Sequence, residues 1–174
     1  MTTPGKQPAD PVVQALQRVL AAQHAAVYSY PVIGVALRDA GQVEQARQLE
    51  ARHRNTRDEV MAQLAARHAV PVPAEASYAP PQPVTGPADA QRWALEVEQA
   101  CAGAYRYLLV APVLAARAAP TGPAGDGTDS AAAAAEQAAL RRQALTGLNT
   151  AARDATGWRT LLSPTAPTVP FPGL

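Results

Sequence analysis

Five residues could do chemistry at the centre of a helical protein: Gln23, Glu50, His53, Arg57 and Glu98. Glu50-Ala-Arg-His53 is a Glu-x-x-His pair, and the i, i+3 spacing puts both side chains on one helix face. A carboxylate-bridged pair of iron or manganese ions in a helix bundle needs two such pairs, on two helices. It also needs one Glu from each of the other two helices. The carboxylates supply the negative charge that two cations require. This chain offers the one pair, together with Glu98 and, two residues before it, Glu96. No second pair follows later: the residue three positions after Glu136 is Ala139, and Asp154 is followed by Gly157. Gln23, a neutral amide, stands where a ligand from the first helix would stand.

The same residues can instead form a buried polar network. Glu98 would pair with Arg57 or His53, and Gln23 would bridge to them. A buried acid without a partner is strongly unfavourable, so a partner is expected. This is the favoured reading, with no cofactor expected; the alternative is iron or manganese held by Glu50, His53 and Glu98. His24 points about 100° away from Gln23 on a helix and belongs at an interface or partly in solvent. His68 falls at a helix end, where a cation complements the helix dipole. Tyr28, Tyr30, Tyr105 and Tyr107 form a second cluster that could line a pocket or simply pack in the core. Ser29 and Ser77 lack His and Asp partners at useful spacing, Cys101 has no His near it in sequence, and Gly122 to Gly127 does not follow the phosphate-loop pattern.

The elements that must position these residues are helices. Hydrophobic residues make up 48% of the 174 residues and aromatics only 5%, because alanine dominates. Alanine is the strongest helix former and allows close helix approach, and runs of strand-forming residues are missing. Lys plus Arg number 15 against 14 for Asp plus Glu, so no basic stripe marks a nucleic-acid surface. Arg52, Arg54 and Arg57 are interleaved with Glu50, Asp58 and Glu59. No run of 18 apolar residues and no apolar N-terminal signal core occur, so no membrane association is expected. A single cysteine excludes an internal disulfide and fits a buried free thiol. Together these features predict a cytoplasmic protein.

Proline divides the chain. Apart from Pro31 and Pro112, the prolines gather near the N-terminus, in 71–87, in 120–123 and in 164–172. Four helices are predicted between them, over about 11–40, 42–68, 88–117 and 130–162, flanked by a disordered arm (1–10) and a Pro-rich tail (163–174). In the first, Asp10-Pro11 is an N-cap followed by proline at the first helical position. Its inward stripe is Val13, Leu16, Leu20, Gln23, Val27, Tyr30 and Gly34, with a C-cap at Gly41. Ala22, Ala26 and Ile33 make a second apolar face suited to self-association. The second helix faces inward through Val43, Ala46, Leu49 or Glu50, His53, Thr56 or Arg57, Val60 and Leu64. The third does so through Trp93, Val97, Ala100, Ala104, Tyr107 or Leu108, and Leu114. The fourth uses Leu140, Ala144, Leu148, Ala151, Ala155 and Trp158. Pro31 should kink the first helix and Pro112 bend or shorten the third. Residues 70–87 can extend about 50 Å, further than the roughly 40 Å of a 27-residue helix. The connection can therefore cross the whole bundle, as in the ferritin-like arrangement of an antiparallel four-helix bundle.

Several runs resemble an actinobacterial ferritin-like family of unknown function, DUF4439. They are Leu20-Ala-Ala-Gln-His-Ala-Ala-Val-Tyr-Ser-Tyr30 with Arg38 to Gly41, then His53-Arg54 with Arg57, and Tyr78 to Val84. Glu98-Gln-Ala-Cys-Ala-Gly-Ala-Tyr105, Trp158-Arg159 and the closing Phe171-Pro-Gly-Leu174 complete the likeness. The resemblance implies a ferritin-like bundle and no established activity. The family pattern has Glu-His where this chain has Gln23-His24. The expectation is a non-catalytic bundle with a degenerate metal site, acting as a homodimer or by binding a protein partner. The alternative is an oxidase, peroxidase or iron-handling protein, and a third possibility is a small apolar ligand between helices.

Overall fold

The computed structural model describes residues 10–118 and 127–163. They form α1 (Pro11–Ala36), α2 (Ala40–Ala66), α3 (Pro87–Ala118) and α4 (Gly127–Leu162), and no strand occurs among them. The fold is an all-α four-helix bundle with a long Pro-rich crossover between α2 and α3. The arm before Asp10, the loop 119–126 and the tail beyond Ser163 lie outside the described residues.

The helix ends follow from capping. Asp10 begins α1 by accepting from the Val12 amide at 2.8 Å, with Pro11 next in line. The expected stop at Gly41 does not occur. Asp39 accepts from the Gln42 amide at 2.9 Å and starts α2 at Ala40, so Gly41 sits inside the first turn of α2. The N-capping carboxylate outweighs the glycine because it satisfies an amide that would otherwise lack a partner. His68 closes α2 in the left-handed region, at φ 54. Pro31 and Pro112 lie inside α1 and α3 without ending them; α3 runs on to Ala118.

The crossover is tied to α1. The Gln17 amide donates to Val70 O and accepts from Val72 N, both at 2.7 Å, pairing with the extended chain as a neighbouring strand would. His24 Nε2 lies 3.2 Å from Val72 O, and the Tyr28 and Tyr78 rings meet at 5.5 Å. Asp89 holds the start of α3 by accepting from both the amide and the hydroxyl of Thr85. Those bonds, with help from Arg92, bring its carboxyl down to about 2.

α1 packs against α2 and α3, and α3 packs against α4. Among the described residues, no Cα of α2 comes within 8 Å of a Cα of α4, so that fourth seam is open. Two apolar clusters fill the bundle. One gathers Ala26, Tyr30, Ile33 and Leu49 around Trp93 and Trp158. The other gathers Leu16, Leu20, Val60 and Leu64 around Tyr105 and Leu108. By length and composition α1 is apolar enough to cross a membrane, and here its apolar face belongs to both clusters.

Two stripes are displaced from their expected positions. In α1, Ala26 and Ile33 are fully buried, so the face expected to serve self-association is core. In α3 the buried stripe runs Val97, Glu98, Cys101, Tyr105 and Leu108, while Ala100 and Leu114 are exposed. Trp93, Val97 and Leu108 lie inward as expected, while between them Glu98, Cys101 and Tyr105 take the places expected for Ala100 and Ala104. The α4 stripe lies where expected, apart from Leu148, which is half-buried.

Gly147 lets α3 and α4 approach. A Cβ at this position would overlap the Tyr105 ring. Gly147→Ala should therefore lower the melting temperature, although alanine adds about 1 kcal/mol of helix propensity. In a Tyr105→Ala background the same substitution should raise it. Thermal denaturation of the four proteins of this cycle measures the difference.

Candidate functional site: a buried polar chain beside an open seam

The centre of the bundle contains a hydrogen-bonded chain that visits all four helices. From α4, Trp158 Nε1 donates to the Tyr30 hydroxyl of α1 at 3.3 Å. Tyr30 donates to Glu98 Oε1 of α3 at 2.5 Å. His53 of α2 reaches the same oxygen through Nε2 at 3.1 Å, and its Nδ1 lies 2.7 Å from Gln23 Oε1. A doubly protonated imidazole satisfies both contacts as a donor. Gln23 Nε2 then donates to Cys101 Sγ at 3.8 Å. The His53 ring also stacks on Tyr30, with centroids 5.4 Å apart.

Glu98 is 0% exposed, and its second oxygen, Oε2, has no hydrogen-bond partner among the described residues. Its influence reaches its neighbours. Burial, reinforced by the Glu98 carboxylate, pushes the Tyr30 hydroxyl and the Cys101 thiol well above their ordinary ranges. Cys101 therefore stays a thiol rather than a nucleophilic thiolate. Burial and then Glu98 raise Asp154 to about 6, although Arg52 forms an ion pair with it and His53 also favours its charge.

This chain forms the floor of a cleft of about 360 Å³ in the open seam. Gln23, His53, Glu98, Cys101 and Tyr105 line its depth. α2 contributes Arg52, Thr56 and Glu59 to its walls, and α4 contributes Arg142, Thr146, Thr150 and Asp154.

Of the residues singled out in the sequence, Gln23, His53 and Glu98 are hydrogen-bonded together. Glu50 and Arg57 are not part of this group. Glu50 pairs with Arg54 at 2.5 Å and Arg57 with Asp58 at 2.8 Å, both on the flank of α2. The buried stripe passes through Leu49 and His53, an i, i+4 step, which leaves Glu50 about 100° to one side. The alternative ligand set of Glu50, His53 and Glu98 therefore does not converge. Among the described residues, no three His, Cys, Asp or Glu side chains gather in a way that could hold a metal ion. The tyrosines separate too. Tyr30 joins the chain and Tyr105 lines the cleft, whereas Tyr28 meets Tyr78 and Tyr107 lies under the Arg18 guanidinium at 4.1 Å. Residues two apart on a helix diverge by about 200°, so one pair cannot share a wall.

Asp154 and Arg52 were not anticipated as a linked pair at the site. A signal existed: Asp154 lies between Ala151, Ala155 and Trp158 on the inward stripe of α4. Looking for Glu-x-x-His passed over it.

The fold and its centre define a class: an all-α bundle with a polar core beside one open helix seam. The profile of DUF4439, a domain of unknown function, matches residues 15–121, and the chain belongs to that family. A crystal structure of a conserved hypothetical protein, rv2844, from Mycobacterium tuberculosis is similar, with 29% identity and a TM-score of 0.68. The similarity covers 90% of this chain and 100% of that one. No curated protein matches the sequence.

Two outcomes test the site. His53→Ala leaves Glu98 and Gln23 buried without their partner, and should cost about 3–5 kcal/mol in urea unfolding. Asp154 has its folded pKa raised above the unfolded value near 3.9. Between pH 4 and about 6 the native state therefore binds more protons than the unfolded chain, and stability falls as pH rises. Relative to Asp154→Asn, the parent protein should lose stability between pH 4 and pH 7, as measured by unfolding across that range.

Proposed function

We propose that this chain is a non-catalytic, antiparallel ferritin-like bundle of the cytoplasm that acts by binding, its central metal site degenerate. The observation that carries this reading is the use of Glu98. Its Oε1, which a dinuclear site would turn toward a cation, is taken by Tyr30 and His53. Gln23 and Cys101 occupy the adjoining central positions, and neither adds a carboxylate. What remains is a polar floor under an open seam, which suits recognition of a ligand rather than bridged-metal redox chemistry.

A surface role has its own support. Tyr28, Val32 and Val35 follow one another at i, i+4 and i+7 on the outer side of α1, and Val35 is 88% exposed. This strip is where a second copy or a protein partner would meet the bundle. Light scattering on the parent protein and Val35→Glu checks that role. A dimer that dissociates in the variant supports it, and a strict monomer at high micromolar concentration removes it.

Metal analysis tests the central claim. Protein purified without chelator should contain far less than one equivalent of iron or manganese. About two atoms per chain would restore the rival assignment as an oxidase, peroxidase or iron-handling protein.

A further inference from the structure

We propose that the cleft between α2 and α4 binds a small organic cation, a primary amine or guanidine on a short polar body, with Glu98 Oε2 receiving the charged head. This rests on the reading of the chain as a binding bundle and names the ligand class for the same site.

The cleft exists because α2 and α4 stay apart. Every other neighbouring pair of helices is packed, while this seam is crossed by the ion pairs Arg52–Asp154 and Arg67–Glu136. The space of about 360 Å³ falls within the range of small-molecule pockets. That volume admits a small molecule and excludes a folded partner.

The chemistry of the floor selects the ligand. Glu98 Oε1 already accepts from Tyr30 and His53, whereas Oε2 is buried without a donor. A buried carboxylate oxygen left without a partner is unfavourable, and one charged donor removes that cost. An anionic head placed against Oε2 would meet the Glu98 carboxylate itself unfavourably. An apolar molecule would leave Oε2 as it is. A metal ion needs converging donors, and these do not converge.

The walls agree. α2 brings Arg52, His53 and Glu59 toward the cleft, α3 brings Glu98, Cys101 and Tyr105, and α4 brings Arg142 and Asp154. Arg52 is paired with Asp154 and His53 with Glu98, so Glu59 and Arg142 are the wall charges without an ion-pair partner among the described residues, and Glu98 Oε2 is the acceptor left unsatisfied. Thr56, Thr146 and Thr150 add hydroxyls to the lining, which can take a second polar end of such a molecule.

Thermal shift and isothermal titration at pH 7 and low salt provide the test, with four probes of similar length: agmatine, putrescine, 1,4-butanediol and succinate. Agmatine or putrescine should raise the melting temperature in a dose-dependent way, while the diol and the diacid leave it unchanged. Glu98→Gln keeps an acceptor for Tyr30 and should weaken amine binding at least tenfold. Because that variant alters the buried chain, Thr150→Phe serves as a second, blocking the opening away from Glu98, and should also abolish the response. If both variants bind the amine like the parent, the assignment of this cleft is overturned. If succinate or the diol binds and the amines do not, the ligand class is overturned while the binding role stands. If no probe binds at millimolar concentration, the proposal falls, and metal content then decides separately whether the non-catalytic reading survives.

Discussion

One carboxylate oxygen organises this protein. Glu98 Oε1 accepts from a tyrosine on α1 and meets a histidine from α2, and the tyrosine is itself held by a tryptophan from α4. A charge placed at the centre of an apolar bundle is tolerated only where its partners are fixed in geometry. The partners here come from the three other helices, so the polar chain sets which face of each helix turns inward. Apolar packing alone, with so many interchangeable alanines, would define those rotations poorly. The arrangement thus serves specificity of fold at least as much as stability.

The same chain distinguishes this bundle from helix bundles that hold a pair of metal ions. A dinuclear centre gathers carboxylates and leaves their oxygens to the ions. Here a glutamine, a thiol and a phenol occupy the central space, and the one buried carboxylate accepts from Tyr30 and meets His53. The remaining acid of the interior, Asp154, lies toward the seam and meets Arg52 there. One acid therefore lies at the middle of the bundle and one at its open side.

Much of the architecture was legible in the sequence. Proline clusters marked the connections, and the 3.6-residue periodicity located the helices. Asp10-Pro11 fixed the first turn of α1, and Leu140, Ala144, Ala151, Ala155 and Trp158 located the buried side of α4. The misreadings share a cause. Excluding the acid Glu98 from the apolar stripe of α3 displaced the middle of that stripe. Favouring the i, i+3 pair Glu50 and His53 obscured the i, i+4 step from Leu49, which decides what faces inward. Gly41 reads as a helix terminator in the sequence, but Asp39 two residues before it caps the next helix. Pairings between helices, such as Arg52 with Asp154, depend on interhelical distances that no single-chain pattern encodes.

Gln17 has a consequence for how such a chain can vary. By gripping the backbone on both sides of Pro71, it divides the crossover into a fastened start and a slack middle. From Pro73 to Ser77 the chain is exposed until Tyr78 docks on Tyr28. Insertions or deletions among relatives should accumulate in that slack stretch, where added length is absorbed as a wider loop. The same change placed before Val72 would drag the crossover out of step with α1 and loosen the roof over one end of the bundle.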